Sequence, residues 1–128
     1  MAEYGTRFQS TKVASVDLNA NLYTFVLLAS VGAAGKLTTV VNTGTSPVFG
    51  VLQNKPKAGE HGAVTYFGST KVRLANSLGP NTLIMSAVSG FAVAAASGTA
   101  ALGQLVTGAT SGAVGEMHFF NYSLTGSQ

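Results

Sequence analysis

Six side chains in this 128-residue chain could carry acid–base or metal chemistry: Glu3, Asp17, Glu60, Glu116, His61 and His118. A catalytic site needs such groups to converge, and their spacing argues against it. A serine triad would have to bring Asp17, the single aspartate, beside a histidine, and no Gly-x-Ser-x-Gly turn presents a serine. Glu60 and His61 are adjacent, so on a strand they diverge. Glu116 and His118 lie two apart and share a strand face, but they offer two ligands where zinc takes three or four. A solvated or hydrogen-bonded pair is the plainer reading. Gly35-Lys36 lacks the following Ser/Thr and the preceding glycine of a phosphate-binding loop. Gly108 to Gly115 is glycine-rich but reads as a turn before a last strand. With no cysteine there is neither a disulfide framework nor thiol chemistry. The expectation is a protein that is not an enzyme, with no catalytic residue, no metal and no cofactor.

The elements that would position these groups are short and extended. Strand signals fall at about 22–30, 37–41, 48–53, 63–67, 70–75, 82–86, 90–95, 103–107 and 113–122. Turn signals separate them: Gly32 to Gly35, Asn42-Thr43-Gly44, the Pro56 loop, Gly68-Ser69, Leu78 to Asn81, Ser97-Gly98 and Gly108 to Gly112. Short strands at such even spacing predict an all-β, mostly antiparallel barrel or sandwich. Ala92 to Ala101 is the one rival helix, but Gly90 and Gly98 bracket too short a run. Residues 1–16 are polar without periodicity and read as an extended N-terminal arm, with residues 17–128 as a single β domain.

Composition narrows the function. Charged residues make up 9% of the chain against about 25% in a typical soluble domain. A surface so poor in charge suits contact with other protein subunits, whose interface centres are charge-depleted. The net charge of +3 comes from scattered Arg7, Lys12, Lys36, Lys55, Lys57, Lys71 and Arg73, too thin for a nucleic-acid binder that neutralises about 6–10 phosphates. The longest apolar run, Leu22 to Ala29, is far below the ~18 residues of a membrane span. The first ten residues carry no apolar signal-peptide core, so synthesis in the cytosol is expected.

Residues 48–67 are the most distinctive stretch. Val48, Phe49, Val51 and Leu52 are β-formers, Asn54-Lys55-Pro56-Lys57-Ala58-Gly59 is a turn, and Val64, Tyr66 and Phe67 resume an extended pattern. This hairpin resembles one in a family of tailed-phage capsid decoration, or cement, proteins. Asp17-Leu18 and Leu22 to Val26 are similar to that family's opening segment. Lys71 to Leu74 and Gly90 to Ala94 are similar to later strands, and Ala101 to Leu105 with Gly115 to Phe119 to its closing hairpin. The resemblance covers about residues 17–120. It implies a β-tulip-like barrel that binds the outer surface of the expanded phage head. There it would stabilise contacts of the major capsid protein, often as a homotrimer around local three-fold axes.

Two sets of residues are expected to make such contacts. Tyr4 and Phe8 would anchor the arm on the shell, with Val13 and Val16 pairing near the domain edge. In the last strand Met117 and Phe119 share one face, while Glu116, His118, Phe120 and Tyr122 share the other, where charge mixed with aromatics makes a candidate subunit interface, the alternative being that Phe120 covers a core edge. No nucleic acid or membrane is expected as a partner. The alternative from another class is a virion fibre or adhesin module that recognises a cell-surface glycan. The lack of tryptophan and the single aspartate weigh against it.

Overall fold

A computed structural model describes residues 8–29, 35–39, 48–87, 90–95 and 101–119. Nine strands follow one another in these residues: β1 (Phe8–Val13), β2 (Phe25–Leu28), β3 (Leu37–Thr39), β4 (Gly50–Leu52), β5 (His61–Arg73), β6 (Leu83–Ser86), β7 (Ala92–Ala94), β8 (Gly103–Thr107) and β9 (Val114–Phe119). They form one curled sheet in the order β3-β2-β4-β5-β9-β8-β6-β7, with β1 added on β5. Every strand-to-strand ladder is antiparallel. The all-β, barrel-like class expected from the even strand spacing is what the chain adopts, and residues 92–94 of the rival helix are strand.

Two apolar clusters hold the sheet. The larger gathers Phe25, Val51, Val72, Leu74, Ile84, Leu105, Met117 and Phe119 with their neighbours. At its centre the rings of Phe25 and Phe119 lie 6.1 Å apart, tilted by 37°. The smaller holds Ala14, Leu18, Val26, Leu37, Leu52 and Val64, with Phe49 packed against it. Side chains alternate across a strand, so adjacent residues go to different clusters: Phe25 and Val26 on β2, Val51 and Leu52 on β4. Both faces of the chain are therefore covered at these two pairs, which explains why they are continuously apolar, while Leu28 at the end of β2 is exposed.

β5 is the spine. Its first half pairs with β1 and β4, and its second half with β9. Two separate strands with a turn at Gly68-Ser69 were expected, and the structure corrects this to one 13-residue strand. Gly68 takes φ 105°, a backbone conformation open to glycine, and redirects the strand without ending it. Before it, Thr65 lies opposite Val51 of the larger cluster; beyond it, Thr70 lies opposite Met117 of the same cluster. The inward side thus passes from odd to even residues, and the consecutive pair Tyr66 and Phe67 is left exposed on the outside.

Part of the segment expected as an arm, residues 1–16, is described. Residues 8–13 are extended, but they pair with β5 of their own domain, from Phe8 opposite Phe67 to Val13 opposite His61. Ala14 is buried in the smaller cluster, and its N–H donates to the Glu60 carbonyl at 2.8 Å. Backbone groups make a ladder whatever the side chains are, so the polar run Gln9-Ser10-Thr11-Lys12 carried no strand periodicity to read. Residues 1–7 lie outside the described residues.

Candidate functional site

Asp17 and Glu60 are each occupied by a turn. Asp17 Oδ1 accepts from the Asn19 N–H at 2.9 Å, a short side-chain-closed turn. Glu60 Oε1 accepts from the Lys57 N–H at 2.8 Å, and the Glu60 N–H donates to the Lys57 carbonyl at 2.9 Å. Asn54 braces the same hairpin, accepting from the Ala63 N–H at 3.0 Å and donating to the His61 carbonyl at 3.2 Å. His61 stands exposed at the start of β5, across from Val13. Among the described residues no three of His, Cys, Asp and Glu come close enough to hold a metal ion, and no helix is long and apolar enough to cross a membrane.

The outward face of β9 and its neighbours is the surface with the most varied chemistry. Glu116 lies directly across from Lys71 on β5 and Thr107 on β8; His118 lies across from Ser69 and Gln104. Met117 and Phe119 point into the larger cluster, so the two-face reading of this strand holds as far as residue 119. Phe120 and Tyr122 lie outside the described residues. Val114, Val106 and Leu83 add exposed apolar area on β9, β8 and β6. The Lys71 ammonium sits 5.8 Å from the centre of the Tyr23 ring, within cation–π range.

Tyr23 is itself held in an unusual state. Its φ of 63° is a left-handed conformation that costs a bulky residue about 1–3 kcal/mol. Two backbone hydrogen bonds impose it: the Tyr23 N–H donates to the Leu52 carbonyl, and its carbonyl accepts from the Arg73 N–H, both at 2.8 Å. Tyr23 thereby ties β4 to the far end of β5. The Arg73 guanidinium donates from Nη1 to the Gly112 carbonyl at 3.3 Å, while its Nε is buried with no hydrogen-bond partner.

Sequence reasoning missed the aromatic patch at the bend of β5. Tyr66 is 41% and Phe67 38% exposed. The Phe67 ring meets His118 edge-on at 5.9 Å, and the Tyr66 ring stacks on Phe49 at 6.0 Å. The run Val64-Thr65-Tyr66-Phe67 reads as a strand with alternating faces, and only the change of side at Gly68 brings both rings outward. Of the residues expected to anchor the arm, Phe8 has its backbone opposite Phe67, Val13 is half-buried in β1, and Val16 is exposed before Leu18. Tyr4 lies outside the described residues.

No protein-family model matches the sequence, and no curated protein shows significant similarity to it. Among solved structures, the fold matches the N base of the head fiber protein gp8.5 of bacteriophage phi29, with a TM-score of 0.70. The match covers 93% of this chain and 98% of the phi29 chain at 13% sequence identity. What the two share at that identity is the fold.

Proposed function

We propose that this chain is a structural, non-enzymatic protein of a bacteriophage head, acting as a decoration protein on the outer surface of the expanded shell. The observation that carries the reading is the fold shared, over nearly the full length of both chains, with the base of a phage head fiber. The low charge of the sequence and the aromatic outer surface around β5 and β9 support it. Its partners are the major capsid protein and further copies of itself around local three-fold axes, with nucleic acid and membrane outside its repertoire. Glu116, His118, Phe120 and Tyr122 form the subunit contact, and the N-terminal segment with Tyr4, Phe8, Val13 and Val16 contacts the shell. A ligand that binds only the expanded lattice stabilises that lattice by its own binding free energy, repeated at every site.

A glycan-binding fibre module is the second reading, because the matched structure belongs to a head fiber. The matched part is the base of that fiber, which favours attachment over recognition at a tip. Electron microscopy of the purified source particle separates the two. Regular density over the capsid lattice supports decoration, and density confined to tail or vertices overturns it in favour of adhesion.

A further inference from the structure

The two ends of β5 differ in charge. β1 pairs with the strand up to Phe67, opposite Phe8, and β9 takes over at Gly68, opposite Phe119. His61 and Arg73 therefore mark ends ~40 Å apart along the strand, at about 3.3 Å per residue. At the first end the fold gathers lysines that are distant in sequence. Lys55 and Lys57 are exposed in the β4–β5 turn, and Lys12 lies opposite Gly62. Residues 14 and 15 bring in the exposed Lys36: the Gly59 N–H donates to the Ala14 carbonyl and the Ser15 N–H to the Leu37 carbonyl, both at 2.9 Å. Four of the six described Lys and Arg residues thus meet here, with Asp17 and Glu60 beside them, for a net +2. The loops at the other end, residues 75–82 and 108–113, carry no charged side chain.

We propose that this end docks on an acidic protein surface, with Lys12, Lys36, Lys55 and Lys57 facing carboxylates of the partner. The inference rests on the decoration reading, in which the partner is the shell, and it sets the orientation of the domain. Val13, opposite His61, and the exposed Val16 contact the shell in that reading and lie at this same end, while the uncharged loops point away. Other partners match the charge less well. A duplex takes about 6–10 phosphate contacts, more than four lysines offer. Bilayers are met by basic clusters of about 4–8 residues, whereas Asp17 and Glu60 would here face anionic headgroups. A second copy brings the same net +3 against it. Lysines mixed with carboxylates, positive in sum, match a protein surface with an acidic excess of its own, and such complementarity acts mainly on encounter and orientation.

Two variants that lower the net charge equally test this on purified particles freed of the protein. Lys36→Gln, Lys55→Gln and Lys57→Gln together should slow association about 5-fold at low ionic strength, with release unchanged to within about 2-fold. Asn76→Glu, Pro80→Glu and Thr110→Glu together, all exposed at the other end, should slow association by less than about 2-fold. Carbodiimide, which joins an ammonium to a carboxylate in direct contact, gives a second readout on the wild-type protein and holds even if a variant folds poorly. Cross-links from Lys36, Lys55 or Lys57 to acidic residues of the shell are expected. Equal slowing by the two variants, or cross-links confined to Lys71, overturns the proposal. Retention on a duplex or on phosphatidylserine vesicles at physiological salt gives this end a different partner and overturns it too. Wild-type protein that never associates with particles overturns the decoration reading itself, and this docking with it.

Discussion

Deleting residues 1–12 asks whether β1 is a fixed part of the sheet or a strand the domain can do without. The deletion takes five of the six residues of β1 and leaves Ala14 in its cluster. Ordering five residues costs about 5–10 kcal/mol, at about 1–2 kcal/mol each. About five ladder hydrogen bonds at a net 0.5–1.5 kcal/mol each return about 3–8 kcal/mol. The side chains of residues 9–12 add little, because Gln9 and Thr11 are exposed and Ser10 and Lys12 half-buried. The Gln9 amide's 3.1 Å bond to Thr65 Oγ1 contributes about 1 kcal/mol. At the midpoints of these ranges the two sides cancel to within about 2 kcal/mol. Melting of the truncated protein, followed by calorimetry, should therefore move by no more than about 8 °C, at about 4 °C per kcal/mol for a domain of this size. Ala14→Asp is the contrast, since it places a charge among Leu18, Val26 and Leu52 and should cost at least about 3 kcal/mol. Pelleting with purified particles supplies the second reading, and the truncated protein should lose occupancy. A fall of more than about 15 °C would refute the energetic argument; wild-type saturation of particles would refute a role for β1 and the preceding residues in attachment.

Four further outcomes can be measured. Gly90→Ala should destabilise by about 2–4 kcal/mol, because φ is 89° and a Cβ there would sit under 3.0 Å from the Phe25 carbonyl. Gly112→Ala, at φ 80° with open space around it, should cost no more than about 1.5 kcal/mol, and urea titration of the two compares clash with dihedral strain. Phe119→Ala should cost about 3–5 kcal/mol by leaving a cavity against Phe25, measured the same way. Association with particles should weaken only modestly between low and moderate salt, and retention of a long duplex in a gel shift at physiological salt would contradict the proposed exclusion of nucleic acid.

The parts of the fold that could be read in advance are those where side chains decide the structure. Val48 to Leu52 and Val64 to Phe67 announced the β4–β5 hairpin because burial on a pleated strand demands β-formers, and the polar Pro56 loop announced its turn. Met117 and Phe119 announced their inward face by alternation. The misread parts are those where the backbone decides. β1 is held through main-chain groups that polar Gln9, Ser10 and Thr11 supply as well as any residue. Gly68 suggests a turn in the sequence because glycine permits both a turn and a change of direction within a strand, and only the partners on either side distinguish them. The Tyr66–Phe67 patch was hidden for the same reason. Leu18, placed at the start of the domain, proved to be a fully buried member of the smaller cluster, a role that no periodicity around it revealed.

The meeting of Phe8 and Phe119 beside Phe67 and Gly68 has a practical side. The two residues lie within about two strand spacings of each other, roughly 10 Å, so a linker of a few residues could join them. A circular permutant linked there and reopened in the exposed Lys57–Gly59 stretch of the β4–β5 turn would keep every ladder of the sheet. The same geometry means that cargo fused before residue 8 or after residue 119 emerges at one pole of the domain. Two different cargoes on a single copy would be presented side by side, and the opposite pole would stay bare.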